Sequence, residues 1–348
     1  MKLKMKYKNV FTIVVCLLAV LPARSQDVHF SQFHMTPLLL NPAEAGARHS
    51  MQGLVNYRNQ WSSVANPYST ANVSWDMRLG EGSKSGFSGL GININQDKTG
   101  FSPLKTFQAN LCYAYQIRLD DKNILGAGLT AGLMQRSIST SNIQWMNQYD
   151  GTAYNSALPS GEPVSSNSRM SPDIGAGIQY GFKKTEKYLT GNDHRNFNAG
   201  ISFAHINRPV YSFYDTGEKL FMKTTLYMDA EIGLANSDVS LVPGVVYWMQ
   251  GPSQELLAGT MFQFRFKGDS KYTGYVQGSS FAVGAYYRNK DAMIASALYK
   301  VSQFAVGLSY DINLSGLKTA SNGRGGFEIS LRFINANSYL YKKHTPSI

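Results

Sequence analysis

Stretches of about ten residues in which apolar and polar side chains alternate recur almost to the end of this chain. Phe327, Ile329, Leu331 and Phe333 are separated by Glu328, Ser330 and Arg332. Phe304, Val306, Leu308 and Tyr310 alternate with Ala305, Gly307, Ser309 and Asp311, and Leu226, Met228, Ala230, Ile232 and Leu234 with Tyr227, Asp229, Glu231 and Gly233. Near the front, Val73, Trp75, Met77 and Leu79 oppose Asn72, Ser74, Asp76 and Arg78. Successive side chains of a strand point to opposite faces, so each stretch has one apolar and one polar face. A β-sandwich alternates too, but strand length separates the two. Globular strands centre on about five or six residues, whereas a tilted strand needs about ten to cross a bilayer. The expected fold is all-β: an antiparallel transmembrane outer-membrane β-barrel of about 14 strands over residues 50–334. Closure leaves no backbone group unpaired in lipid.

Composition agrees. Charged residues are 16% of the chain and aromatics 12%, too little charge for an ordinary soluble surface. Mean hydropathy is nevertheless slightly negative, too polar for a helical membrane protein. Strands with an apolar outside and a polar inside account for both. Tyr57, Trp61, Trp145, Tyr180, Phe182, Trp248, Phe264 and Phe266 fall near strand ends and are expected to form interfacial girdles. Short turns at residues 120–123 and 236–238 are expected inside, and the long loops 137–170, 207–223 and 313–325 outside. An even strand count would put both termini in the periplasm. The pattern is weakest between Lys267 and Ala297, where strand boundaries are hardest to place.

The first residues set the compartment. Lys2, Lys4, Lys6 and Lys8 precede an apolar run over residues 10–21, closed by Pro22, Ala23, Arg24 and Ser25. This is the layout of a secretory signal peptide over residues 1–25, and its run is short of the roughly 20 residues a spanning helix needs. Cys16 lies inside the run between Val15 and Leu17, the wrong place for a lipid attachment. With the leader removed only Cys112 remains, so neither an internal disulfide nor a cysteine metal site is available. The leader also holds five of the 33 basic residues and none of the 22 acidic ones, leaving 28 against 22. So modest and dispersed an excess argues against nucleic acid as a partner.

Residues 26–49 do not read as barrel strand and are expected to be a periplasmic N-terminal segment, a candidate plug. They contain His29-Phe30-Ser31-Gln32-Phe33, then Pro37-Leu38-Leu39-Leu40-Asn41-Pro42-Ala43 and Ala45-Gly46, and are followed by Asn56-Tyr57-Arg58-Asn59-Gln60-Trp61. Trp75-Asp76 ends the next alternating stretch. These motifs resemble the PorP/SprF family, membrane proteins of the type IX secretion system of Bacteroidetes. The resemblance runs from about His29 to Phe333, with specific motifs in the first third and pattern alone after it. Glu44 departs from the family's apolar or small residue, and a tail over residues 335–348 continues past the last strand. The resemblance implies an outer-membrane barrel that partners a secreted surface adhesin and components of the secretion machinery, and in some species serves gliding motility.

Asn41, Pro42 and Gly46 read first as a structured turn, because Asn-Pro initiates turns and glycine permits a positive φ. Their functional reading is that Phe30 to Gly46, Phe33 included, plugs the barrel floor or offers a docking edge to a periplasmic partner. Arg58 reads as a lumen cation paired with a carboxylate of another strand, Asp76 being the candidate, and Trp61 as a girdle residue; contact with an exported partner is the alternative for both. No catalytic, cofactor or metal residues are expected. His29, His34, His49, His194, His205 and His344 form no HExxH or other ligand spacing and are expected at the surface or in an interface. Gly126, Gly128 and Gly132 have strand spacing, not that of a nucleotide loop, and suit close packing. The expected function is a non-enzymatic scaffold or adaptor embedded in outer-membrane lipid. A porin-like diffusion channel is the main rival, opposed by the bulky Arg58, Arg78, Arg118, Tyr227 and Arg332 on polar faces. A barrel lipid hydrolase is third, lacking a GxSxG elbow.

Overall fold

The computed structural model describes residues 27–63, 66–80, 85–99, 104–139, 144–161, 168–184, 192–213, 217–267, 278–316 and 318–335. The expected leader, and all but the first residue of the expected tail, lie outside them. Fourteen strands form: β1 (Met51–Gln60), β2 (Tyr68–Leu79), β3 (Gly86–Lys98), β4 (Leu104–Arg118), β5 (Asn123–Ile138), β6 (Ser168–Lys184), β7 (Arg195–Ala204), β8 (Lys223–Gly233), β9 (Val239–Gln250), β10 (Ser253–Lys267), β11 (Ser279–Arg288), β12 (Ala292–Val301), β13 (Phe304–Asn313) and β14 (Arg324–Asn335). Each pairs antiparallel with its chain neighbours, and β14 pairs with β1 to close the barrel. Strands run from 10 to 17 residues, long enough to cross a bilayer at a tilt.

The alternation read from sequence becomes outside and inside. Val55, Val73, Leu111, Leu129, Ile178, Val283, Leu308 and Ile329 are among a continuous set of exposed apolar side chains, while Asn56, Asn72, Asn93, Gln116, Ser309 and Glu328 are buried within. Two of the expected girdle residues are elsewhere. Trp248 points into the lumen, where its ring lies 5.7 Å from that of His29, because it occupies an inward register of β9. Trp145 lies in the connection between β5 and β6, at the start of a short helical turn.

Met51 pairs with Asn335 at one rim, here the base rim, and Gln60 with Gly326 at the other, the loop rim. The two longest connections, after β5 and β7, leave the loop rim, as does that after β13; connections of similar length to the last, after β6 and β10, and the short turns after β4 and β8 lie at the base rim. The ends of the sheet share the base rim, as an even count requires. The chain that precedes β1 does not: Asp27 lies at the loop rim, its N–H donating 2.8 Å to Gln250 Oε1 at the last residue of β9. The N-terminal segment is therefore inside the barrel, descending its full height from Asp27 to Ser50. It neither stops at the floor nor forms an edge beneath the wall. Its burial carries the reason, since Phe30, Phe33, Met35, Leu38 and Leu40 need a dry environment.

The hydrophobic core is consequently the lumen itself. Phe33, Met35 and Leu40 pack against Leu54, Val246, Leu257, Met261, Ile294 and Leu298, most of them from the β9–β12 wall. Leu38 and Ala45 meet Cys112 and Ala114 of β4 opposite. Where the segment crosses the wall most closely, the wall has glycine. A Cβ on Gly128 would lie 2.4 Å from Ala43 N, and one on Gly89 1.9 Å from Ala45 O. The neighbour that Gly128 accommodates is the plug.

Candidate functional site

Phe30, Phe33, Asn41, Pro42, Gly46 and Arg58 come together in one structure: the filled lumen, pinned at four heights. At the top, Asp27 and Val28 are held by β7 and β8. His205, just past β7, contacts Asp173 through Nδ1 at 2.8 Å and Asp27 through Nε2 at 3.1 Å, and Lys223 Nζ donates 2.9 Å to Val28 O. His205 has φ 56°, a left-handed conformation that costs a non-glycine residue about 1–2 kcal/mol. Burial alone would disfavour its imidazolium, but the Asp27 charge and hydrogen bonds to Asp173 and Asp27 prevail and push its pKa up to about 9. The charge therefore stabilises this anchor fully below the unfolded value of 6.5, and that contribution is lost as pH rises through about 9. In histidine-selective NMR His205 is expected to titrate near 9, and at least about a unit lower in Asp173→Asn; a midpoint at 6.5 in both would contradict the anchor.

Just below, Arg58 joins the segment to the wall. Its Nη1 donates 2.7 Å to His29 O, its Nη2 lies 3.0 Å from Asp311 Oδ2, and its Nε 3.0 Å from Glu328 Oε1. Glu328 also accepts the backbone N–H groups of Ser31 and Gln32, at 2.7 and 3.0 Å. Arg288 approaches Asp311 from β11 at 3.0 Å and donates to Ser31 Oγ. Two arginines and two carboxylates thus clamp the Phe30–Gln32 backbone. The carboxylate partners of Arg58 come from β13 and β14, not from Asp76. Register explains this: β1 places Arg58 opposite Thr70 and Gln52 opposite Asp76, six residues along the strand.

Asn41 and Pro42 hold the middle. Asn41 Nδ2 donates 2.9 Å to Ile178 O and 3.3 Å to Ile201 O on the wall, while its Oδ1 accepts from Ala43 N at 2.9 Å and caps the turn Pro42–Glu44. Gln116 reaches across to Ala43 O at 2.6 Å. The turn reading and the plug reading of these residues describe one object.

At the bottom Gly46 turns the chain, at φ +64°, towards β1. Its N–H donates 2.9 Å to Asp76 Oδ2, the actual role of Asp76, and Arg78 donates 2.8 Å to Gly46 O and 3.0 Å to Ala47 O. Glu44, out of place by family pattern, is fully buried yet paired: Arg48 lies 2.7 Å away, and Tyr227 donates its hydroxyl to it. Arg48 continues to Asp229 at 2.8 Å.

Trp61 stands apart from this assembly. It sits at the loop rim, half-buried, its N–H donating 2.9 Å to Gly325 O and its ring 4.9 Å from Tyr68 in an edge contact. Sequence reasoning overlooked Glu328, Asp311 and Arg288 as site residues, although charged residues on the inward face of a lipid-crossing strand were the available signal. It expected the histidines at the surface or in an interface; His29, His34 and His49 lie within the lumen and His205 is buried. His344 falls outside the described residues. Among the described residues no group of His, Cys, Asp and Glu is arranged to hold a metal ion.

The family model for type IX secretion system membrane protein PorP/SprF matches residues 23–333, spanning both the lumen segment and the barrel. The chain belongs to the PorP/SprF family. This PorP/SprF protein is accordingly a type IX secretion system membrane protein built as a closed β-barrel. No curated protein matches it significantly. Among solved structures it is similar to the translocator domain of the autotransporter NalP from Neisseria meningitidis, at 12% identity and TM-score 0.39, over 88% of this chain and 96% of that one. A FadL homologue of Pseudomonas aeruginosa gives 10% identity and TM-score 0.43, over 84% and 92%. BamA from Haemophilus ducreyi gives 9% identity and TM-score 0.40, over 82% and 71%. At such values the fold rests on this chain's own strand pairing.

Proposed function

We propose that this PorP/SprF protein is a non-enzymatic scaffold whose lumen is closed by its own N-terminal segment. Exported through a cleaved leader over residues 1–25, it holds a secreted surface adhesin at its loop rim and the secretion machinery at its base rim. It thereby serves export or surface attachment of that adhesin, and through it gliding motility. The observation that carries the reading is the pinned passage of residues 27–49 down the whole lumen. Outer-membrane barrels keep their longer loops outside, and the two longest connections leave the loop rim, which supports reading that rim, and Asp27 with it, as the cell-surface side. Met146, Tyr149, Ile206 and Phe221, 93, 56, 44 and 49% exposed, give that rim apolar surface for a protein partner to cover.

A diffusion channel does not suit this interior. Beside the upper half of the plug the cavities next to His29 and Leu38 are about 20 and 40 Å³, room for a few waters and no diffusion path. The ring nitrogens of His205 both face carboxylates, which leaves that histidine to the anchor and not to a serine nucleophile. The test is crosslinking in intact cells, purification from native outer membranes in mild detergent, and identification of what accompanies the barrel. An adhesin or secretion component is expected; the barrel alone would contradict the scaffold.

A further inference from the structure

The plug does not fill the lumen completely. At the base rim a cavity of about 500 Å³ remains, between the lower turn of the plug and the wall. Seven basic and four acidic side chains line it. Two of the acids are already engaged: Asp229 with Arg48 at 2.8 Å, and Glu231 with Gln263 at 2.8 Å. Asp120 is held by the turn after β4, where it accepts from the N–H groups of Lys122 and Asn123.

Arg332 is the cavity's cation with a solvent-sealed, unbonded nitrogen among the described residues. It projects inward from β14, its Nε is sealed from solvent without a hydrogen-bond partner, and it forms no ion pair among the described residues. Lys300, also on the inward wall, donates 2.7 Å to the neutral Gln263 Oε1 and shares the Glu231 charge with Arg332. Glu231 is the acid whose charge reaches Arg332, but it is shared with Lys300 and bonded to Gln263, so the barrel offsets this partly buried guanidinium only in part. The plug's histidines register the resulting field. Burial, and after it Arg332 and Arg48, push the pKa of His49 down to about 2; burial and then Arg332 push that of His34 down to about 3. Both rings are neutral, so the cavity's positive charge belongs to its arginines and lysines. Phe33, Phe87 and Tyr286 complete it with apolar surface.

We propose that this cavity receives an acidic peptide segment of a periplasmic partner protein, with one carboxylate seated on Arg332 and apolar side chains against Phe87 and Tyr286. The proposal rests on the reading above that the base rim faces the periplasm. The cavity's size suits several residues of chain and exceeds what a single small anion fills. A lipid headgroup is disfavoured because the cavity lies within the lumen, on the far side of the wall from the bilayer. The chain's own tail is disfavoured by charge: residues 336–348 include Lys342, Lys343 and His344 and no acidic residue. Binding would form a charge-assisted hydrogen bond in a partly dry site, where it is strong and specific for a planar carboxylate.

The test uses the purified mature protein and a dye-labelled hexapeptide of alternating glutamate and leucine, followed by fluorescence anisotropy. Saturable binding that weakens with salt is expected, with at least roughly tenfold loss in Arg332→Gln and a smaller loss in Lys300→Gln. Arg332→Gln removes a cation that makes no direct ion pair among the described residues, and it is expected to convert from the folded gel band at the parent's temperature, so its lost binding is not misfolding. Equal binding of an alternating lysine–leucine hexapeptide would overturn the proposal, as would indifference to Arg332→Gln or no binding at all. So would full displacement by millimolar phosphate, which means a free-anion site, or by a synthetic peptide of residues 336–348, which means the tail is the occupant. Each of these outcomes is read on the isolated protein. They therefore leave the adhesin partnership, tested in intact cells, standing or falling separately.

Discussion

Arg58→Leu is expected to lower the stability of the folded barrel by about 3–5 kcal/mol, the range for removing one partner of a buried ion pair. Arg58 is 1% exposed, and its two carboxylates, Asp311 and Glu328, are 2 and 1% exposed. Leucine can satisfy neither of them, nor His29 O, and Arg288 reaches only Asp311 of the pair. Glu328 would then hold the N–H groups of Ser31 and Gln32 with no cation beside it. The readout is the temperature at which the folded band of an unboiled sample converts to the unfolded one on a gel. Arg58→Leu should convert at distinctly lower temperature, and Glu328→Gln added to it should restore part of the loss, since contacting residues do not act additively. Conversion at the parent's temperature would mean that the clamp contributes nothing to the fold.

Gly128→Leu is expected to act on the plug and spare the wall. The added Cβ would stand 2.4 Å from Ala43 N and 2.6 Å from Ala43 Cα and Pro42 C, all backbone atoms with no side chain to rotate away. Gly128 pairs with Ala114 and Gly177 on its two sides, and those ladders are indifferent to the new side chain. The middle of the segment, fastened there by Asn41, must therefore leave its seat, and closure is lost at mid-height. Expected are an intact heat-modifiable barrel, rapid protease cutting within residues 27–49, and ion conductance that the parent lacks. Gly316→Leu, where a Cβ meets nothing within 4 Å, is the matched control. A sealed, protease-resistant Gly128→Leu protein would show that the plug is not packed against β5 as described.

The barrel was legible because lipid and lumen impose a period of two on nearly every strand. Where that period fades, the interior explains it. On β11 and β12 the inward positions include Ala282, Gly284, Tyr286, Ile294 and Leu298, apolar or small because they face Phe33 and Met35 and not water. Strand assignment between Lys267 and Ala297 was hardest for that reason, although part of the interval, residues 268–277, lies outside the described residues. The plug was legible as a segment unlike its surroundings, and its turn at Asn41-Pro42 was readable from local chemistry. Its path was not, because alternation says nothing of what fills a barrel. Nor could sequence find the carboxylates of Arg58, since the closing pair of strands unites residues more than 250 positions apart. Asp76 was the nearest acid in sequence and in the adjacent strand, yet register carried it to the other end of the barrel.

On the function proposed above, residues 27–49 close this barrel, which works by holding proteins and not by passing solutes. Conductance of the unsubstituted mature protein in planar lipid bilayers tests it most directly. The account predicts a bilayer that stays sealed as the protein inserts. Large, steady conductance steps from that protein would contradict it and return the chain to the diffusion channels.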